Sequence, residues 1–214
     1  MIPLGTRPST LVPTVFVIDD DASVRKSLSR LLRSAGYTTE TFASAEEFLG
    51  REHFNGIGCL LLDVQMPGLS GMDLQKELSK ADYHMSIVFI TGHGDIPMSV
   101  QAMKRGAVDF LTKPFDDEEL LQAVKKAIEK DREAKAERAE VHDLRRRIDT
   151  LTPREHEIFR YVITGMLNKQ IALKLDIAEK TVKVHRGRIM EKLRVDSVAD
   201  LVRLAEKAGI EPPD

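Results

Sequence analysis

The sequence predicts an α/β fold, a doubly wound five-stranded parallel sheet, followed by a helical linker and an all-α helix-turn-helix domain. Three observations predict it. Five short apolar, β-rich runs (15–18, 37–42, 57–62, 87–90 and 108–111) alternate with segments of helical periodicity, a pattern that demands parallel strands with helices on both faces. From Asp116 the helical pattern runs without glycine or proline until Pro153. Beyond it lie only helices, two of them short, joined by a tight turn, the second one basic. The expected boundaries are 13–130 for the α/β domain, 131–148 for the linker and 149–214 for the helix-turn-helix domain.

In the first domain, residues 23–35 place Val24, Leu28, Leu31 and Leu32 on one helical face, and residues 43–49, 71–78 and 97–104 read similarly. A further helix starts at Asp116. Its heptad positions Leu120, Ala127, Ala134, Val141 and Ile148 form a seam that is weak in the middle, where the second register carries Lys130 and Glu137. A solvated helical linker explains that pattern better than a coiled coil. Thr152-Pro153-Arg154-Glu155 joins a capping residue, proline at the first helical position and glutamate at the third, a strong helix start. Gly165 stops that helix. Asn168 is the expected cap of the next, 169–175, and a turn through Asp176 and Ile177 leads to 179–193. Ser197 caps a last helix that ends before Gly209.

Composition narrows the function classes. Of 214 residues, 42% are hydrophobic, enough to bury a core, and 31% are charged, enough to keep it in solution. The single cysteine, Cys59, excludes a disulfide framework and a cysteine-rich zinc module. No apolar run reaches the ~18 residues of a membrane span, and the N-terminus lacks the form of a signal peptide. A soluble cytoplasmic protein with no membrane partner is expected. The net charge of −2 is uneven: residues 1–118 hold 11 basic and 16 acidic side chains, whereas residues 179–194 hold six basic and two acidic. Such a split suggests two domains with different partners.

Chemistry in a parallel sheet sits beyond the carboxyl ends of the strands. There the first strand ends in Asp19-Asp20-Asp21, the third in Asp63, the fourth in Thr91 and the fifth in Lys113. Crowded carboxylates repel unless a cation neutralises them, and an oxygen-rich, thiol-free set suits Mg²⁺. With a lysine and a hydroxyl beside it, such a set handles a phosphoryl group, and a carboxylate can accept one covalently.

Val15-Phe-Val-Ile-Asp-Asp-Asp21, Leu60-Leu-Leu-Asp-Val-Gln-Met-Pro-Gly68, Phe89-Ile-Thr91 and Phe110-Leu-Thr-Lys-Pro114 resemble the receiver domain of two-component response regulators. Leu151-Thr-Pro-Arg-Glu155, Asn168-Lys-Gln-Ile-Ala172 and Thr181-Val-Lys-Val-His185 resemble the LuxR-type helix-turn-helix, and their order is that of the NarL/FixJ class. The resemblance spans residues 14–208. It implies Asp63 as phosphoacceptor from a sensor histidine kinase. It also implies Asp20, Asp63 and the carbonyl of Gln65 as direct ligands of Mg²⁺, with Asp19 acting mostly through water. Lys113 would pair with the phosphoryl oxygens, its bond to Pro114 being cis. Thr91 and Phe110 would form a two-position switch, Gly92 would leave room for phosphate, and Gln65 and His93 would tune dephosphorylation. A phosphorylation-dependent transcriptional regulator, most plausibly an activator, is implied, with double-stranded promoter DNA, a homodimer formed on phosphorylation and RNA polymerase as partners.

On the basic helix, Lys183 and Gly187 share one face, and Val182, Arg186, Ile189 and Leu193 lie near another. Lys183 suits guanine and Val184 a thymine methyl; Arg186 or Arg188 can reach bases or phosphates. Lys169, Lys180 and Thr181 suit phosphate. Ala178 stands where the family usually has a serine or threonine cap, and Gly187 where some relatives have a longer side chain. The histidines lack metal-ligand spacing, and His185 is expected to orient its helix or touch phosphate. Asp19-x-Asp21-x-Ser23 also fits the first motif of haloacid-dehalogenase-type phosphohydrolases, with Asp19 as nucleophile, Asp21 as general acid and Asp116-Asp117 in a later motif. That alternative leaves Asp63 and the basic helix without roles.

Overall fold

In a computed structural model, Thr14–Ile18 (β1), Thr38–Phe42 (β2), Gly58–Asp63 (β3), Ser86–Thr91 (β4) and Asp109–Thr112 (β5) form one parallel sheet in the order β2-β1-β3-β4-β5. The structure describes residues 12–81, 83–92 and 96–213. The helices between strands are Ala22–Ser34 (α1), Ala45–Leu49 (α2), Gly71–Lys80 (α3) and Ile96–Lys104 (α4). Every residue of β1 and β3 is buried, as expected where helices cover both faces of a central strand.

The two-residue period of the strands sorts the core into two layers. Val15, Val17, Cys59, Leu61, Val88 and Ile90 face one side with Leu28 and Leu32 of α1. Phe16, Ile18, Leu60, Leu62 and Phe89 face the other with Phe48 of α2, Leu74 of α3 and Ala102 of α4. Cys59 is fully buried and free, as its strand position predicted.

The chain divides into two compact units, 1–135 and 136–214, and Asp117–Ile148 (α5) is one helix that runs from the first into the second. Its seam residues do not serve a coiled coil. Leu120 and Ala127 bury in the first unit's core, Leu144 and Ile148 in the second's. Nor is the 131–148 stretch simply solvated. The carboxylate of Asp131, 3% exposed, accepts the N–H of Gly58 at 3.0 Å and the ammonium of Lys135 at 2.7 Å, while Lys135 also donates to the carbonyl of Gly56.

The second unit packs Pro153–Val162 (α6), Asn168–Leu175 (α7), Glu179–Leu193 (α8) and Val198–Ala208 (α9) around Ile158, Phe159, Val162, Ile171, Val182, Ile189, Leu193 and Leu201. The predicted capping box forms: Thr152 Oγ1 accepts the N–H of Glu155 at 3.3 Å, and Glu155 Oε2 accepts that of Thr152 at 2.9 Å. Ser197 caps α9 as expected. Asn168 does not cap α7. It is the first helical residue, Leu167 holds the cap position, and Gln170 Oε1 accepts the Leu167 N–H at 2.8 Å. Ala178 leaves α8 without a side-chain cap, a loss of about 1 kcal/mol against serine or threonine.

Glu155 does more than cap. Its buried carboxylate accepts the Lys192 ammonium at 2.6 Å, and Lys192 also donates to the Thr150 carbonyl at 3.0 Å, pinning the end of α8 to the start of α6. The Lys192 hydrogen bond first, and the Thr152 N–H second, hold the Glu155 carboxyl at about 2, below the ordinary 4.5. A lowered carboxyl pKa adds stability that is full above the unfolded value and is lost as pH falls toward the folded one. Glu155→Gln is therefore expected to destabilise the second unit by about 1–3 kcal/mol at neutral pH. In urea titrations its difference from the wild type should shrink between pH 4.5 and about 2; a pH-independent difference would contradict this role.

Candidate functional site

The strand register delivers the acidic site. Asp63 is the last residue of β3 and pairs with Ile90; Thr91 is the last of β4 and pairs with Thr112 of β5, one residue before Lys113. Asp19 follows β1 directly, so all four reach one edge of the sheet. Lys113 Nζ donates to Asp19 Oδ2 at 2.8 Å and to Asp63 Oδ1 at 3.2 Å. Asp19 and Thr91 are fully buried and Asp63 nearly so, while Asp20 and Gln65 are exposed. Phe110 is half-buried, its ring 6.2 Å from that of Phe89, and the Lys113–Pro114 bond is cis. His93 lies outside the described residues.

Burial pushes the Asp63 carboxyl above its usual range; Lys113 pulls it back, and Asp19 and Asp20 push it up further. Desolvation draws the Lys113 ammonium down, but its bonds to Asp19 and Asp63 outweigh that and the net shift is upward. Lys113 thus keeps negative charge at the sheet edge where burial alone would favour a neutral acid. Asp21 is different in kind. It is the N-cap of α1, accepting the N–H of Ser23 at 2.7 Å and its hydroxyl at 2.6 Å, and these bonds lower its pKa. As an N-cap bonded to Ser23 it is not placed as a general acid, and Asp117 opens α5 instead of ending a strand. The phosphohydrolase alternative therefore loses two of its motif positions.

Three supporting residues carry no signal in the sequence reading. Arg25 Nη1 donates to the backbone carbonyls of Asp19 at 2.7 Å and Asp20 at 2.9 Å, fixing the acidic loop. Glu46 Oε1 accepts the N–H of Leu69 at 3.0 Å and steadies the loop after Asp63. Gly71 packs against the phosphoryl-handling edge itself: a Cβ there would lie 2.2 Å from the Asp63 carbonyl oxygen. A glycine directly after a Ser cap, at the first helical position, was the available cue. By contrast, a Cβ at Gly92 meets nothing within 4 Å, so space stays open beside Thr91.

The donor set offers only carboxylate and carbonyl oxygen, which suits a hard divalent cation such as Mg²⁺. The rise in the Asp63 pKa caused by Asp19 and Asp20 is the repulsion such a cation would relieve. Among the described residues no group of three or more His, Cys, Asp or Glu stands at metal-holding spacing; here Lys113 supplies the neutralising charge.

On α8 the two faces separate cleanly. Val182, Ile189 and Leu193 are buried, and Arg186, on the same stripe, is half-buried and donates to Asn168 Oδ1 at 3.0 Å. Lys180, Thr181, Lys183, Val184, Gly187 and Arg188 are exposed, as is Lys169 on α7. His185 is half-buried, with its Nδ1 buried and unpaired. Sequence periodicity had grouped Arg186 with the apolar stripe; the bond to Asn168 is what it does there.

Comparison with known proteins covers both units. Residues 15–125 match the family described as response regulator receiver domain, and residues 149–205 match bacterial regulatory proteins of the luxR family. Nodulation protein W of Bradyrhizobium diazoefficiens is 51% identical over 92% of this chain and 86% of its own length. Transcriptional regulatory protein FixJ of the same organism is 42% identical over 92% and 96%. Among solved structures, response regulator StyR is 50% identical, with a TM-score of 0.81 over 92% of this chain and 99% of that one. Full-length FixJ from B. japonicum is 42% identical, with a TM-score of 0.56 over 92% and 97%.

The close approach at Gly71 yields a direct expectation. Gly71→Ala forces the Asp63 backbone to move and should cost the first unit about 1–3 kcal/mol, read as an earlier urea midpoint with an unchanged slope. A midpoint equal to the wild type's would show that the carbonyl has room to yield.

Proposed function

Because the chain belongs to the two-component response regulators, with a receiver domain joined to a LuxR-type helix-turn-helix domain, we propose that Asp63 is the residue whose phosphorylation switches it. The protein is a phosphorylation-dependent, DNA-binding transcriptional regulator and not an enzyme. The observation that supports Asp63 above the other carboxylates is its position: the nearly buried last residue of β3, within 3.2 Å of Lys113 and beside the open space at Gly92. Asp19 already bonds Lys113 at 2.8 Å and the Asp21 N–H at 2.9 Å, and Asp21 is a cap.

In the proposed reaction a carboxylate oxygen of Asp63 attacks the phosphorus of a phosphohistidine on the sensor kinase. The P–N bond breaks and the imidazole leaves with its electron pair. Lys113 holds the transferred oxygens, and the Thr91 hydroxyl and Phe110 ring change position as the switch. Asp19, Asp20, Asp63 and the Gln65 carbonyl would hold Mg²⁺, which supplies charge neutralisation at the phosphoryl group. A phosphoryl group adds charge and acceptor oxygens. It shifts a conformational equilibrium only by the difference in its contacts between two states; a shift from 1:99 to 99:1 takes about 5.5 kcal/mol.

The face formed by residues 97–105, 108–111 and 116–128 is the proposed homodimer surface. Val100 and Met103 on α4 are 45% and 44% exposed there, with Ile96 beside them. A dimer would present two α8 helices to half-sites about one helical turn apart. Lys183 and Val184 would face bases, and Lys169, Lys180, Thr181 and Arg188 phosphates. Arg186, bonded to Asn168, sets α7 against α8 beside them. Activation through RNA polymerase and a cytoplasmic location complete the reading; among the described residues no helix is long and apolar enough to cross a membrane.

Intact mass after incubation with Mg²⁺ and acetyl phosphate or phosphoramidate tests the assignment. The wild type should gain one phosphoryl, about 80 Da, and Asp63→Asn should gain none. A gain that survives in Asp63→Asn would move the acceptor elsewhere.

A further inference from the structure

Helix α8 carries a glycine, Gly187, in the middle of its exposed face, one turn beyond Lys183. Glycine is among the weakest helix formers, so this position loosens α8 unless the missing side chain serves something. Nothing inside the protein requires it. A Cβ built at Gly187 meets no atom within 4 Å, and the backbone is not in the left-handed region. Gly71 shows the opposite case, where the fold itself leaves no room for a Cβ.

The neighbours of Gly187 on that face are Lys180, Lys183, Val184 and Arg188, all exposed, while Arg186 on the other stripe turns inward to Asn168. The demand for a glycine therefore comes from what the exposed face meets. The major groove of B-DNA is about 12 Å wide, and a helix with its side chains is about 10–12 Å across. A recognition helix nearly fills the groove, so one side chain more or less on its leading face decides how deeply it enters.

We infer that Gly187 is a contact position of the DNA interface, where the bare α8 backbone approaches the base edges closely. Val184 and Gly187 form a low apolar shelf flanked by Lys183 and Arg188. This rests on the reading of α8 as the recognition helix, and adds that insertion depth, besides side-chain chemistry, sets sequence preference. Glycine serves the same purpose wherever a backbone must approach a ligand closely.

The test uses the phosphorylated full chain. A duplex is first enriched by the wild type from a random-sequence library. Affinities of the wild type, Gly187→Ala, Gly187→Leu and Lys183→Ala are then measured on that duplex and on poly(dI-dC) over a salt series. Amide exchange of residues 179–193 is followed alongside. Gly187→Ala should bind the enriched duplex about tenfold more weakly, and Gly187→Leu more weakly still. Binding to poly(dI-dC) and the salt slope should hold, because no phosphate contact is lost. Exchange in α8 should slow about fourfold in Gly187→Ala, because the helix is strengthened. If Lys183→Ala weakens binding and both Gly187 variants match the wild type, the inference is overturned and the recognition helix stands. If none of the variants changes the preference, the reading of α8 itself falls, and the inference with it. Equal losses on both DNAs with faster exchange would mean a folding defect and would also overturn the inference.

Discussion

Lys113 brings one positive charge between two buried carboxylates, Asp19 at 2.8 Å and Asp63 at 3.2 Å, and the functional edge of the sheet is arranged around that contact. Burying a carboxylate favours its neutral form, and Asp63 shows that push. Without the ammonium, the end of the sheet would lose charge or loosen. The supporting bonds follow from the same need. Arg25 holds the carbonyls of Asp19 and Asp20, Glu46 holds the loop after Asp63, and Gly71 lets α3 pack directly on the Asp63 carbonyl. A site that must accept a doubly charged group is kept compact by cations and backbone donors that do not themselves react.

The second unit solves a different problem, presenting charge outward while holding a small core. Its α8 separates the two tasks by helical period. One stripe places Val182, Ile189 and Leu193 in the core and sends Arg186 to Asn168, and the other leaves Lys180, Lys183, Val184 and Arg188 exposed. Neither α7 nor α8 has a side-chain cap at its start. Side-chain bonds compensate: Arg186 to Asn168 joins α8 to α7, and Lys192 to Glu155 joins α8 to α6.

Much of this was legible in the sequence because period and position are local properties. The alternation of β-rich and helical runs gave the sheet. The strand-end residues Asp19, Asp63, Thr91 and Lys113 could be placed at one edge before any coordinates, since parallel strands share an end. The Thr152–Glu155 capping box was likewise complete within four residues. What escaped depends on neighbours distant in sequence. Arg25, Glu46 and Gly71 act through backbone atoms whose proximity only the folded chain shows. The stretch 131–148 looked solvated because its anchors, Gly58 for Asp131 and the second unit's core for Leu144 and Ile148, lie elsewhere in the chain. Asn168 looked like a cap, as its residue type suggests; its oxygen faces Arg186 instead.

The link between the acidic edge and the basic helix is tested most directly by affinity for an enriched duplex, measured with and without acetyl phosphate, in the wild type and in Asp63→Asn. The donor should tighten binding by the wild type and leave the variant unchanged. Equal tightening in both, or none in a wild type that carries the phosphoryl group, would contradict a switch driven from Asp63.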